Sequence, residues 1–233
     1  MIAFTSDIDW APEPVILDML SLFEEAQQKC TLFATHRSEA ILNCNRKYFE
    51  IAIHPNINPA FDGKEMEMDV LIDDLMEIYP EAKGIRCHSL VQSSHLMNRF
   101  AKRGFVYDSN QFLPYWKNLR PYKLWNGLVE IPFNWEDDIH YYYGYSFDNH
   151  HLEIDTTSLN VFSFHPVHVF LNTENEIRYN LAKEFYQQTE ALLKCRNTTD
   201  VPGSRNMLVN LMKMMKKDGL KSMHLSEIAE GVK

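Results

Sequence analysis

The chain has 233 residues, 45% of them hydrophobic, which allows one large domain or two small ones around a continuous core. Only 8 glycines and 10 prolines, set against 14 phenylalanines, 11 tyrosines and 4 tryptophans, exclude linker, collagen-like and low-complexity classes. A formal charge of −9 offers no basic field for a polyphosphate backbone, which argues against nucleic-acid binding and for a small or neutral partner.

The opening MIAFTSDID carries two acids with neither a basic nor an apolar leader, and no run approaches the roughly 18 apolar residues of a membrane span. Cys30, Cys44, Cys87 and Cys195 are scattered, with no CxxC pair. Together these features predict a cytoplasmic protein that does not span a membrane, with its thiols reduced.

Short apolar runs alternate with segments of helical period, the pattern of an α/β fold with mainly parallel strands in a single domain. In chain order the sequence predicts a strand at 2–6, a helix at 12–28, strands at 30–35 and 48–53, and a helix at 65–79. A strand at 83–87, a helix at 91–103 and strands at 105–109, 127–132 and 160–164 follow, then helices at 174–195 and 205–217. In the helix at 174–195, Ile177, Leu181, Phe185, Thr189 and Leu192 share a face expected in the core. Met207, Leu208, Leu211, Met212 and Met215 form a second stripe, read as core filling, with a partner-binding tail as the alternative. Residues 133–158, containing DDIHYYYGYSFDNHH, have no clean period and read either as a substrate rim or as an aromatic loop over the core.

The polar residues gather at strand ends. Asp7 and Asp9 stand two apart in TSDIDW and project to one face, where like charges repel unless a cation or a proton intervenes. A metal ligand beside a general base is one reading, and helix capping before Ala11-Pro12 is the other. His54 ends the third strand, with Asn56 and Asn58 after it, and imidazole with carboxylate suits zinc or another divalent metal. In GIRCHS, Arg86 and His88 share a face, and Arg86 is placed to pair with Asp7 and hold it as a base. His165 and His168 follow the last strand in NVFSFHPVH, where a histidine can protonate a leaving amine. In a parallel α/β sheet these carboxyl ends meet at one crevice.

The ordered set TSDIDW, CTLFAT, FEIAIHPNINP, GIRCHS, GFVYDSN, EIPFNW and FHPVH resembles the polysaccharide deacetylases of the NodB-homology class, carbohydrate esterase family 4, over residues 2–170. Among its branches the WbmS-like group, associated with bacterial surface-polysaccharide gene clusters, is the most similar. The resemblance implies a distorted (β/α) barrel of about seven parallel strands, filling 1–233 with C-terminal helices from about 174. It implies a divalent metal, zinc first and cobalt, nickel or manganese as alternatives, and removal of an N-acetyl group from an amino sugar. Carried over by position, Asp7 is the base, Asp9 and His54 bind metal, and His165 is the acid. Asn58 stands where a second metal histidine is expected, so His88 is preferred as the third ligand, with Asn58 and His168 as alternatives. Arg86 completes the catalytic set, Trp135 forms the pocket wall, and Tyr107 and Asp108 fall in the segment expected to contact substrate. Pro166 replaces the acid that commonly follows the catalytic histidine.

The expected substrate is an amino sugar or glycan precursor linked to a nucleotide or lipid inside the cell. A sugar-binding barrel without catalysis, a hydrolase of another C–N bond such as a formamido or cyclic amide, and an assembly protein using the Met-rich tail remain alternatives. Homo-oligomerisation is left open.

Overall fold

A computed structural model describes residues 1–61, 68–148 and 154–232. Among the described residues nine strands form one curled sheet: β1 (Ile2–Asp7), β2 (Cys30–Ala34), β3 (Phe49–Ile53), β4 (Gly84–Ile85), β5 (Tyr107–Asp108), β6 (Tyr122–Lys123), β7 (Val129–Glu130), β8 (Trp135–Glu136) and β9 (Asn160–Ser163). Their order is β6-β7-β5-β4-β3-β2-β1-β9-β8, and every pair is parallel except β6 with β7. The expected α/β barrel is present with two short strands added at its edges. The sheet curls without joining them, since β6 and β8 are its two ends.

Both faces of the sheet are covered, so β1 is buried along its whole length. Ile2 and Phe4 pack outward against helices, Phe4 meeting Phe23 edge to face at 5.4 Å. Ala3 faces inward with Phe33, Ala52, Tyr107, Val129, Phe133 and Val161. The period of two then puts Thr5 and Asp7 on that inner face, which is how the Asp7 carboxylate reaches the barrel mouth. The helix Glu13–Ala26 buries Val15, Ile16, Met19, Leu20 and Phe23, an apolar stripe at spacings of three and four.

The barrel floor is closed by the C-terminal helix Leu225–Glu230, whose Leu225, Ile228 and Ala229 join the inner cluster. The Leu225 and Ser226 amides donate to Thr31 Oγ1 and Glu50 Oε2, each at 3.1 Å. Tyr107 reaches the other Glu50 oxygen at 3.0 Å. Gly84 makes room for this: a Cβ there would lie 1.9 Å from the Tyr107 ring, so no larger residue fits.

Met207, Leu208, Leu211, Met212 and Met215 are buried in the helix Ser204–Lys217, so this stripe is spent on the protein's own core. The predicted helix at 174–195 is different. It breaks into Glu176–Ala182, a 3₁₀ turn Lys183–Phe185, and Thr189–Lys194. Ile177 and Leu181, expected inside, are 71% and 67% exposed, and Ala182 is the buried residue of their helix; beyond the break Leu192 is buried as expected.

Candidate active site

At the carboxyl ends of the strands lies a cavity of 260 Å³ walled by Asp7, Asp9, His54, His88, Ser89, Leu90, Phe112, Glu136, Asp138, Ile139 and His165. Every carboxylate and imidazole in that wall lies on β1, β3, β4, β8 or β9 or within three residues of the end of one of them. Strands that run in parallel deliver their last residues to one place, and here that place is acidic.

Asp9 is presented by a tight turn. The Ala11 amide donates to the Ile8 carbonyl at 2.9 Å, while Asp9 (φ 45°) and Trp10 (φ 55°) both lie in the left-handed region. For residues with a Cβ that conformation costs about 1–2 kcal/mol each, so the surroundings must hold it. Its reward is position. Asp9 Oδ1 stands 3.4 Å from His54 Nε2 and 3.2 Å from His88 Nδ1, and one donor atom from each of the three lies within 4.8 Å of the others. Tetrahedral bonds of about 2.0–2.1 Å put neighbouring donors about 3.4 Å apart, so the donor types and spacing suit a divalent cation. Burial opposes ionisation of Asp9, yet hydrogen bonds from His54 and His88, with His165 nearby, hold its carboxyl well below the usual range. The bond to Asp9 raises His88 despite partial burial.

Asn58 takes another task. Its Nδ2 donates to Ser89 Oγ at 3.0 Å, and the Pro55 carbonyl accepts from the His88 amide at 3.0 Å. Ser89 and Leu90, with φ of 57° and 56°, make a second left-handed turn. Thus the residue standing at the expected ligand position braces the loop that delivers His88.

Arg86 is wholly buried, its guanidinium carbon 4.3 Å from the centroid of Phe33 and 4.0 Å from that of Phe133. Nη1 donates to Asp7 Oδ1 at 2.8 Å, to Ser163 Oγ at 3.1 Å and to Thr5 Oγ1 at 3.2 Å. Nε and Nη2 donate to the Ser109 carbonyl and hydroxyl, both at 2.9 Å. Five bonds from one fork fix Asp7 through a single oxygen and leave Oδ2 on the cavity side, 3.8 Å from His54 Nε2.

Opposite stands His165. Pro166 starts the helix Pro166–Leu171 immediately after it, which holds His165 at the helix mouth. Its Nδ1 meets Asp137 Oδ1 at 2.7 Å, and its Nε2 lies 3.7 Å from Asp9 Oδ2. The second Asp137 oxygen accepts from the His165 amide at 3.1 Å and from Ser204 Oγ at 2.8 Å. Burial works against a charged His165, but Asp137 outweighs it and the imidazole is raised well above its ordinary value. The acid missing after His165 in sequence is therefore supplied from another strand end. His168 lies outside the cavity wall: Nδ1 pairs with Thr173 Oγ1 at 3.2 Å, and burial lowers its pKa.

Three expected contacts fall elsewhere. Trp135 is 3% exposed and packs on Phe164 at 4.8 Å, with Nε1 donating to His140 Nδ1 at 3.2 Å. Alternation along β8 sends Trp135 to the core and Glu136 to the cavity, so the acid and not the indole is in the wall. Glu136 is missed by the sequence reading. It has one donor atom within 4.8 Å of those of Asp7 and His165, and burial beside Asp138 pushes its pKa up. Tyr107 points to the barrel floor, where it meets Glu50, and Asp108, next along β5, to the opposite face. Of residues 133–158, Glu136, Asp138 and Ile139 reach the cavity; residues 149–153 lie outside the described residues.

Asp108 instead faces Glu130, its register partner on β7. Asp108 Oδ1 accepts from the Asn110 amide and Nδ2, both at 2.8 Å, and Glu130 accepts from the Gln111 amide at 3.1 Å and Gln92 Nε2 at 3.2 Å. Burial, then the Asp108 charge, pushes Glu130 up to about 9. An unfolded chain releases this proton near the ordinary 4.5 while the folded one keeps it to about 9, so stability falls as pH rises through that window. Glu130→Gln is expected to remove the slope. Its melting temperature should match wild type near pH 5 and exceed it near pH 8.5 by at least about 2–4 °C, the equivalent of 1 kcal/mol at this size. A difference independent of pH in thermal melts would refute the assignment.

A family model described as WbmS-like polysaccharide deacetylase matches residues 4–183. Among solved structures, one from Bordetella bronchiseptica, assigned as a polysaccharide deacetylase involved in O-antigen biosynthesis, is 35% identical. The alignment covers 91% of this chain and 90% of that one, with a TM-score of 0.83. Another from Mycobacterium smegmatis, also assigned as a polysaccharide deacetylase, is 20% identical over 98% of this chain and 88% of that one, with a TM-score of 0.62. A family 4 carbohydrate esterase from Streptomyces lividans, solved with acetate, shares the fold at 12% identity, covering 96% and 91% of the two chains with a TM-score of 0.52. No curated protein matches. With the family model spanning most of the sequence and a solved relative aligned over nearly all of it, this chain belongs to the WbmS-like polysaccharide deacetylase family.

Proposed function

We propose that the protein is a metal-dependent deacetylase that removes the N-acyl group from an amino-sugar unit of a bacterial surface polysaccharide or its nucleotide- or lipid-linked precursor. The observation that carries this reading is the convergence of Asp9, His54 and His88 beside Asp7 and His165 in one cavity. Similarity to the Bordetella protein supports the substrate class.

Asp9, His54 and His88 would hold the cation, with zinc the first choice for two imidazoles and a carboxylate. A divalent ion bound there would supply Lewis acidity for the acyl carbonyl and for water, whose proton could then be removed near neutral pH. Asp7, held through Oδ1 by Arg86, accepts the water proton on Oδ2. His165, its Nδ1 engaged by Asp137, presents Nε2 to the sugar nitrogen and gives it a proton as the C–N bond breaks. Water adds to the acyl carbon, the amine leaves with the electron pair of the broken bond, and acetate is released when the acyl group is acetyl. Asparagine at position 58 in place of a ligand histidine would favour a non-catalytic sugar-binding barrel, and that reading weakens because Asp9, His54 and His88 offer a candidate ligand set without it.

The test combines metal content with turnover. Wild type purified from zinc-supplemented medium should retain about one zinc per chain by elemental analysis, and His88→Ala should lose it. Acetate release from a panel of nucleotide-linked N-acetyl sugars should stop with chelator and return with zinc or cobalt. A chain that retains no metal and gains no turnover from added zinc or cobalt is not this enzyme.

A further inference from the structure

The left-handed turn that presents Asp9 is held by partners from distant parts of the chain. On one side the Trp10 amide donates to Thr35 Oγ1 at 2.9 Å, just past the end of β2. On the other, the two carbonyls of the turn each accept a bond from residues 177 positions away: Tyr186 Oη to Asp9 O, and Gln187 Nε2 to Trp10 O, both at 2.8 Å. Tyr186 and Gln187 occupy the bend between the 3₁₀ turn Lys183–Phe185 and the helix Thr189–Lys194. They lie beyond residue 183, where the family match ends.

We propose that Tyr186, assisted by Gln187, is a positioning residue for the cation site, fixing the Asp9–Trp10 turn so that the Asp9 carboxylate keeps its spacing to His54 and His88. The argument is conformational. Asp9 and Trp10 both carry a Cβ yet occupy backbone angles that suit glycine, and such a pair persists only where its surroundings over-determine it. If the two carbonyl bonds are lost, the turn can relax toward ordinary negative φ, and Oδ1 leaves its place 3.4 Å from His54 Nε2. The same helical region also backs the proton donor: the Tyr179 ring meets His168 edge-on at 4.7 Å, and His168 meets His165 at 5.5 Å. A segment outside the recognised motifs thus touches the Asp9 turn directly and reaches His165 through His168.

This inference rests on the proposed metal set and is tested by affinity, independently of turnover. Zinc dissociation constants of the full-length chain are measured by competition with a chromophoric chelator, alongside thermal melts of the metal-free proteins. Tyr186→Phe is expected to weaken zinc by about tenfold or more, within the range for residues that orient a ligand, while Gln187→Ala weakens it less. The decisive comparison is the same substitution in a Trp10→Gly background. Asp-Gly adopts this turn without support, so there Tyr186→Phe should cost less than about threefold. That difference separates positioning of the turn from a general loss of stability, which glycine would not rescue. Unchanged affinity in both Tyr186→Phe and Gln187→Ala, or an equal loss with and without Trp10→Gly, overturns the inference and leaves the deacetylase reading intact. A wild-type chain without zinc affinity overturns both; zinc binding that follows the expected pattern, with no acyl release from any sugar, overturns only the deacetylase reading.

Discussion

Asp7→Asn is expected to lower turnover by about 10³-fold, inside the 10²–10⁴ span of general-base catalysis, while zinc affinity stays within about threefold of wild type. The separation follows from geometry. Asp7 is tied to Arg86 through Oδ1 at 2.8 Å, and its other oxygen is 3.8 Å from the nearest His54 nitrogen, a longer approach than the 3.4 Å of Asp9. Asparagine keeps an acceptor for Arg86 but has no basic oxygen for a proton. Turnover on an N-acetyl sugar that responds to added metal, paired with chelator competition, distinguishes the two effects. If Asp7→Asn turns over at the wild-type rate, Asp7 is not the base; if it sheds the metal, Asp7 is a ligand.

The second large effect is expected at Arg86. Arg86→Ala should lower stability by about 3–5 kcal/mol, the usual cost of leaving one member of a buried ion pair uncompensated. At 2–4 °C per kcal/mol, that is a fall in melting temperature of roughly 10 °C, with activity lost as well because Asp7 has no anchor. Four buried oxygen-bearing partners, Asp7, Thr5, Ser163 and Ser109, lose their donor, and the space between the Phe33 and Phe133 rings empties. Arg86→Lys keeps the charge without the fork, so an intermediate loss is expected. Urea and thermal unfolding measure both. A loss under about 1 kcal/mol for Arg86→Ala would mean that the barrel mouth relaxes around the gap, and the rigid anchor would have to be abandoned.

Long periodic stretches are legible in the sequence itself. β1, β2, β3 and the helices Glu13–Ala26 and Ser204–Lys217 fall close to their predicted ranges because five or more residues display their period. β6 and β8 are two residues each and carry none. That shortness explains the exchange of Trp135 and Glu136: their faces depend on how β8 pairs with β9, which no local pattern reveals. His88 is legible because it stands two residues beyond Arg86 at the end of a buried strand. The task of Asn58 is not, since its partner Ser89 is 31 residues away. The break at Lys183–Phe185 contains neither glycine nor proline, so nothing in the pattern of three and four interrupts the predicted helix at 174–195.

The barrel floor has a further consequence for how the molecule comes into being. The Met223 amide donates to the Ile2 carbonyl at 2.9 Å, so the first strand is sealed by a segment synthesised long after it. A nascent chain can hold every side chain of the cavity and still lack the segments that make the barrel rigid around it. Contacts of such long sequence separation form against a large loop-closure entropy and therefore late, which leaves the apolar floor of a growing chain open to water until that distant segment has been made.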